Sequence, residues 1–355
     1  MQFKGEKIFL PRRFQFVEAE TLVYVVVFLQ SQFGLGMELK TKTLASKDQG
    51  ICMMESLMRV EIQNTPKSKN ADTMFGWMSG KKSQFGIGCF LNLFKIFMNL
   101  KKHFEEKGYA IGEKIFSNDD LKIFNDEFDT ILNQLINSGE NINAKWGSSL
   151  TDHIEPEDSK VIHTHNVQSY SYIFLSMMQN ETLLNLIEEI IGPNIIMHHS
   201  KLFYKPPNRG SAFPLHQDWS YFPTKNNSMI AAVIHLSEST LETGCIRIVP
   251  GSHKIGKLEK SDGHTYIPKI HDEHELEEAE PIIAEPGDVL FFHCFSLHGS
   301  MPNISNYPRK TILIQLYAGT DKVLNDNPHS NIQLVLRGFN YHATRNSVNN
   351  IKTLS

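Results

Sequence analysis

The sequence predicts an α+β fold, a double-stranded β-helix (jelly roll) flanked by N-terminal helices. Three observations carry that expectation. Apolar residues recur at helical spacing before Pro193, short β-branched and aromatic runs punctuated by turns follow it, and no segment repeats itself. Across 355 residues, 41% hydrophobic and 21% charged content suits a chain that buries a core and excludes wholesale disorder, collagen-like and coiled-coil classes. The length leaves room for one catalytic domain and an extension.

Residues 1–96 carry Gly, Ser, Lys and Gln clusters between short apolar runs, without a sustained period, and are expected to be a poorly ordered extension. The organised domain is expected over residues 97–345, with a tail over 346–355. It opens with a short helix from Leu100 that Gly108 stops, then an extended segment from Tyr109 to Phe116. Ser117 and Asp120 have the spacing of a capping box, and Leu121, Phe124, Phe128, Ile131, Leu132 and Leu135 form a core-facing stripe that runs toward Gly139. A second helix, Glu181 to Ile191, is terminated by Gly192-Pro193. Strands are expected at Ile195 to Tyr204, Met229 to Leu236, Cys245 to Val249, Asp288 to His293 and Thr311 to Ala318, with Pro250-Gly251 and Pro286-Gly287 as turns. Lys257 to Glu280, with mixed charge and few apolar residues, reads as a surface loop able to act as a lid.

A formal net charge of −4 provides no basic field, so neither nucleic acid nor an anionic membrane surface is an expected partner. The four cysteines contain no CxxC pair, which argues against a zinc ribbon or a disulfide scaffold and fits a reducing, intracellular compartment. Leu22 to Leu29 is too short to span a bilayer, and the terminal Thr353-Leu354-Ser355 is not the peroxisomal tripeptide.

Chemistry concentrates in two segments. His216-Gln217-Asp218 places an imidazole and a carboxylate at i and i+2, which share a face of an extended chain. The pattern alone is weak. With 16 histidines and 39 acidic residues, chance supplies about two such matches, and the chain has four, starting at His103, His153, His216 and His271. The match at His216 gains weight from Phe291 to His298, an apolar run ending in histidine, with Arg309 beyond it at the start of the next expected strand. Two histidines and one carboxylate can hold a divalent iron while leaving positions open, which selects His216, Asp218 and His298. The guanidinium of Arg309 suits two-pronged pairing with a carboxylate. An ordinary polar turn and a packed histidine remain the bland alternative for the triad, as does a solvated charge for Arg309.

The segments HFEEKGYAIGEKIFSNDDLKIFNDEF, GPNIIMHHSKLFYKPP, PLHQDWSYFP, GCIRIVPGSHK, PGDVLFFH and HGSMPNISNYPRK, in that order, resemble the phytanoyl-CoA dioxygenase family of Fe(II)- and 2-oxoglutarate-dependent oxygenases. The resemblance runs from Phe97 to Gly319, and the KPP and HQDWSYFP blocks are most similar to the acyl-CoA-hydroxylating branch. It implies Fe(II) on His216, Asp218 and His298, the distal carboxylate of 2-oxoglutarate on Arg309 with Ser300 in support, and Gln217 and Lys201 in segments lining the cosubstrate pocket. It further implies dioxygen as the oxidant, ascorbate as the reductant, succinate and carbon dioxide as products, and hydroxylation at the 2-position of a branched fatty acyl-CoA. Such an enzyme would be peroxisomal; another substrate would leave it cytoplasmic. Ile234 stands where the family has a pocket tryptophan, and Asn166 lies near its pocket lysine.

Other residues have two readings each. Trp219, Tyr221 and Phe222 line a substrate channel or pack a core, and Lys254, Lys257 and Lys260 meet CoA phosphates or, more simply, form a solvated face. His235, His253 and His293 read as locally bonded. Two other functions fit the pattern: hydroxylation of another small molecule, and a jelly-roll metal- or ligand-binding module without turnover.

Overall fold

The computed structural model describes residues 36–44 and 55–63 as backbone, and residues 100–324 and 330–343 in full. The chain divides into two units, Met1–Leu93 and Phe94–Ser355. In the first, β1 (Gly36–Leu44) pairs antiparallel with β2 (Glu55–Gln63), Gly36 opposite Gln63. No regular element was expected there, although Met37, Leu39, Thr41 and Thr43 alternate with Glu38, Lys40 and Lys42 at the strand period. The rest of residues 1–96, and the tail at 346–355, lie outside the described residues.

The second unit begins with α1 (residues 100–107) and β3 (Tyr109–Gly112). Helix α2 (Asn118–Ile136) starts at the expected capping box: Ser117 Oγ accepts from the Asp120 N–H and the Asp120 carboxylate accepts from the Ser117 N–H. Its buried side chains are Leu121, Phe124, Phe128, Ile131 and Leu132, the expected stripe less Leu135, which is partly buried. After β4 (Ile162–His165) comes α3 (Tyr172–Met178), an unexpected helix capped by Ser171. Helix α4 (Glu181–Ile191) occupies the expected span.

The β-rich part consists of β5 (Ile195–Lys205), β6 (Phe213–His216), β7 (Ile230–His235), β8 (Ile246–Ile248), a short helix α5 (Pro268–His271), β9 (Glu280–Pro281), β10 (Val289–His293), β11 (His298–Ser300), β12 (Arg309–Ala318) and β13 (Leu334–Arg337). A seven-stranded sheet runs β13-β5-β12-β7-β10-β3, with β4 also paired to β5; a four-stranded sheet runs β6-β11-β8-β9. Every strand pairing in these two sheets is antiparallel. The expected jelly roll with flanking helices is the observed architecture.

Strand alternation sorts the large sheet's side chains. Ile230, Ala232 and Ile234 on β7, Val289 and Phe291 on β10, and Ile312, Ile314 and Leu316 on β12 pack with the apolar faces of the helices. Their neighbours Ala231, Val233, Leu290 and Phe292 face the other way and pack with Ile248 and Ile282 of the small-sheet side. Each fully buried side chain of this size contributes about 1.5–3 kcal/mol. Along β5 and β12 the second face is mixed: Lys201, Lys205, Arg309, Thr311 and Gln315 share it with Phe203 and Leu313. Period-two alternation thus gives the sandwich interior an apolar part and a part rich in polar side chains. Among the described residues no helix is long and apolar enough to cross a membrane.

Candidate metal centre

His216 is the last residue of β6 and His298 the first of β11, and the two lie directly opposite each other across the strand pair. Their ring centroids are 4.2 Å apart. Asp218 opens a 3-10 turn after β6, so the expected convergence of i and i+2 arises at the end of a strand rather than within one. Its Oδ1 lies 3.8 Å from His216 Nε2 and 3.7 Å from His298 Nε2. All three side chains are buried, and their ligand atoms lie within 4.8 Å of one another. Among the described residues, no other group of three or more His, Cys, Asp or Glu converges in this way.

The donors are also in the right chemical state. His216 Nδ1 lies 2.8 Å from the Pro214 carbonyl and His298 Nδ1 2.9 Å from the Ser296 carbonyl. A carbonyl only accepts, so each Nδ1 carries the proton and each Nε2 turns a lone pair toward the centre. Burial, reinforced by His298, pushes His216 down to about 3, which keeps its imidazole neutral. Asp218 Oδ2 accepts from Gln315 Nε2 at 2.6 Å, leaving Oδ1 to face the histidines. Gly299, between His298 and Ser300, must be glycine for this packing: a Cβ there would lie 2.6 Å from the Phe213 carbonyl oxygen. Two imidazole nitrogens and a carboxylate oxygen fit a divalent iron and leave further coordination positions open.

A polar cluster is built on the other, seven-stranded sheet. Arg309 and Lys205 are cross-strand neighbours on β12 and β5, and both are buried. An Arg309 guanidinium N–H donates to the Gly244 carbonyl; Lys205 Nζ donates to Ser300 Oγ and to the Met301 carbonyl, each at 2.7 Å. Burial pushes Arg309 down to about 10, and burial followed by the Arg309 charge pushes Lys205 well below its ordinary value. Lys201 lies near enough to the centre for Asp218 to act on its charge; burial nevertheless pulls it down to about 8. Its ammonium sits 5.5 Å from the centroid of Phe222 and 5.9 Å from that of Phe203.

The expected site residues therefore separate. His216, Asp218 and His298 come together, and Arg309 and Ser300 are linked through Lys205. Gln217 is tied to the loop that follows the metal-facing turn. Its Nε2 donates to the Gly256 and Phe295 carbonyls, and its Oε1 accepts from the Leu258 N–H and Ser261 Oγ. These bonds clamp the 256–261 loop to the residue between His216 and Asp218. Ile234 packs toward the helices, and Val233 and His235 hold the inward positions beside it. His253 and His293 bond locally, to the Glu105 carbonyl and the Phe295 N–H. Lys257 is paired with Glu259 and lies 5.0 Å from the Trp219 ring centroid.

The sequence reading missed Gln315, Lys205 and Trp146. Gln315 had a signal, as the polar residue within Ile312 to Leu316; Trp146, whose ring lies 4.9 Å from His216, sits in a segment with no period to read.

The model of the phytanoyl-CoA dioxygenase family matches residues 104–311 of this chain, more than half of it. The chain belongs to the phytanoyl-CoA dioxygenase family. That family is one of Fe(II)- and 2-oxoglutarate-dependent oxygenases. Over 225 residues it is 29% identical to peroxisomal phytanoyl-CoA dioxygenase of Mus musculus, a match covering 60% of this chain and 65% of that enzyme, just under two thirds of its length. Over 236 residues it is 28% identical to a probable alpha-ketoglutarate-dependent hypophosphite dioxygenase of Stutzerimonas stutzeri, covering 64% of this chain and 80% of that one. The fold is shared with the alpha-ketoglutarate-dependent carbocyclase SnoK of nogalamycin biosynthesis, at a TM-score of 0.55 and 19% identity, over 66% of this chain and 92% of that one.

Proposed function

We propose that this chain is an Fe(II)- and 2-oxoglutarate-dependent dioxygenase that hydroxylates an aliphatic C–H bond, with the 2-position of a branched fatty acyl-CoA as its target. The observation that carries the reading is the buried triad of His216, Asp218 and His298, whose two Nε2 atoms and one carboxylate oxygen face one point. Iron held there supplies the dioxygen activation that couples decarboxylation of 2-oxoglutarate, to succinate and carbon dioxide, with hydroxylation of the substrate.

The chain's own residues prepare that reaction. The Pro214 and Ser296 carbonyls fix the tautomers of the two histidines, and Gln315 holds the carboxylate in position. Arg309 and Ser300 receive the distal carboxylate of 2-oxoglutarate, which sets how the other end meets the metal. Trp146 against His216 and Phe292 against His298, at 4.9 and 4.3 Å between centroids, limit water around the ligands.

The acyl-CoA target is supported by the likeness to the mouse enzyme, whose peroxisomal compartment goes with the same reading. A second reading, a small anionic substrate in the cytoplasm, is favoured by Lys201 beside the centre and by the bacterial relative named for hypophosphite. Succinate release with iron, ascorbate and 2-oxoglutarate, across acyl-CoAs, free acids and small oxyanions, separates the two. No succinate with any substrate would leave a binding module. A fully active double variant of His216→Ala and Asp218→Ala would sink the metal assignment.

A further inference from the structure

Lysine is almost never fully buried without a charged partner, yet Lys205 is 1% exposed and its hydrogen bonds go to the neutral Ser300 hydroxyl and Met301 carbonyl. A second buried cation, Arg309, stands directly across the strand pair. The two heads share a floor: Arg309 donates to the Gly244 carbonyl, and a Cβ on Gly244 would lie 2.3 Å from the Met301 carbonyl oxygen that Lys205 holds. Burial and the neighbouring Arg309 charge both disfavour a charged Lys205, and an anion placed against the pair would favour the ammonium. Glu155, whose field reaches Lys205, is already engaged by Lys145 at 3.0 Å, by Ser211 Oγ at 2.5 Å and by the Ala212 N–H at 2.8 Å. Among the described residues, no carboxylate forms an ion pair with Lys205 or Arg309. Two buried cations thus stand side by side, held by neutral partners.

Hydrogen-bond direction adds a second point. Lys205 Nζ donates in its 2.7 Å contact with Ser300, so Ser300 Oγ is the acceptor. The Ser300 hydroxyl proton is thereby left to a different partner.

We propose that Lys205 is a positioning residue of the distal carboxylate pocket: it adds a second positive charge beside Arg309 and orients the Ser300 hydroxyl as a donor, so that the site selects dicarboxylic over monocarboxylic 2-oxo acids. The proposal rests on the cosubstrate reading above and names the residue that enforces it.

The test is anaerobic calorimetry on the full chain loaded with Mn(II), a redox-stable substitute for iron, titrated with 2-oxoglutarate and separately with oxalate. Oxalate chelates the metal but has no distal carboxylate. Wild type binds both. Lys205→Met weakens 2-oxoglutarate by ~10–100-fold, the range for loss of a charge-assisted hydrogen bond, and leaves oxalate within about twofold. Ser300→Ala, added to Lys205→Met, costs little more, because the hydroxyl is no longer oriented. Should Lys205→Met fail to fold, Lys205→Gln, which keeps a donor without charge, carries the same comparison. Equal weakening of both ligands, or of neither, overturns the proposal and leaves Lys205 a packing residue. Wild type that binds Mn(II) and oxalate but not 2-oxoglutarate overturns the cosubstrate reading itself, and this inference with it.

Discussion

Asp218 divides its two oxygens, one toward the histidines and one toward Gln315, so the carboxylate's aim depends on a residue that touches no metal. Gln315→Leu removes that support at nearly constant volume and is expected to lower metal affinity ~10–100-fold, measured by competition with a chelating dye. Arg309→Ala is expected to raise the KM for 2-oxoglutarate by a similar ~10–100-fold factor, since a buried ionic contact is lost, while the same dye reports unchanged metal affinity. Buried histidines also set a pH limit. His235 and His293 are each pushed down to about 4 from an ordinary 6.5, chiefly by burial. The unfolded chain therefore binds more protons below 6.5, so their contribution is complete above that pH and is lost as the pH falls from 6.5 toward 4. Melting temperatures of the metal-free protein should fall across this window, and His235→Gln should flatten part of the fall. At this scale the triad was legible because its residue types are unusual and their motifs occur in order. Gln315 and Lys205 were not, because a glutamine or lysine acquires its role only when strand pairing sets it opposite a partner.

Elements with a long period were legible, and short ones were not. Helix α2 shows a stripe and a cap over nineteen residues, and β12 shows β-branched alternation over ten. Strand β11 has three residues and β6 four, one of them proline, too few for any periodic signal. Those two short strands nonetheless carry both histidines, because pairing with each other and with β8 sets their register. The sequence of the 257–280 segment reads as a surface loop able to act as a lid. Ile270, Leu276 and Ala279 pack with Leu215 and Leu297, behind the metal strands, and Gln217 holds its base. Gln217→Ala strands several buried partners and is expected to cost about 1–3 kcal/mol in denaturant unfolding, with faster amide hydrogen exchange across residues 256–262.

For the whole molecule, the jelly roll was legible from the succession of helices and turn-bounded strands, whereas the assignment of strands to two sheets was not, since sheet membership is decided by long-range pairing. All residues of the proposed site belong to the unit Phe94–Ser355. A chain shortened to that unit is therefore expected to retain metal binding and 2-oxoglutarate-dependent succinate release; loss of metal binding on truncation would give the first 93 residues a part in the site. The direct pairing of His216 with His298 has one more consequence. Backbone ladders hold both rings in place whether or not an ion is present, so the cage survives demetallation. Stripping with a chelator and reloading with cobalt or nickel should then proceed as simple exchange, without refolding of the chain.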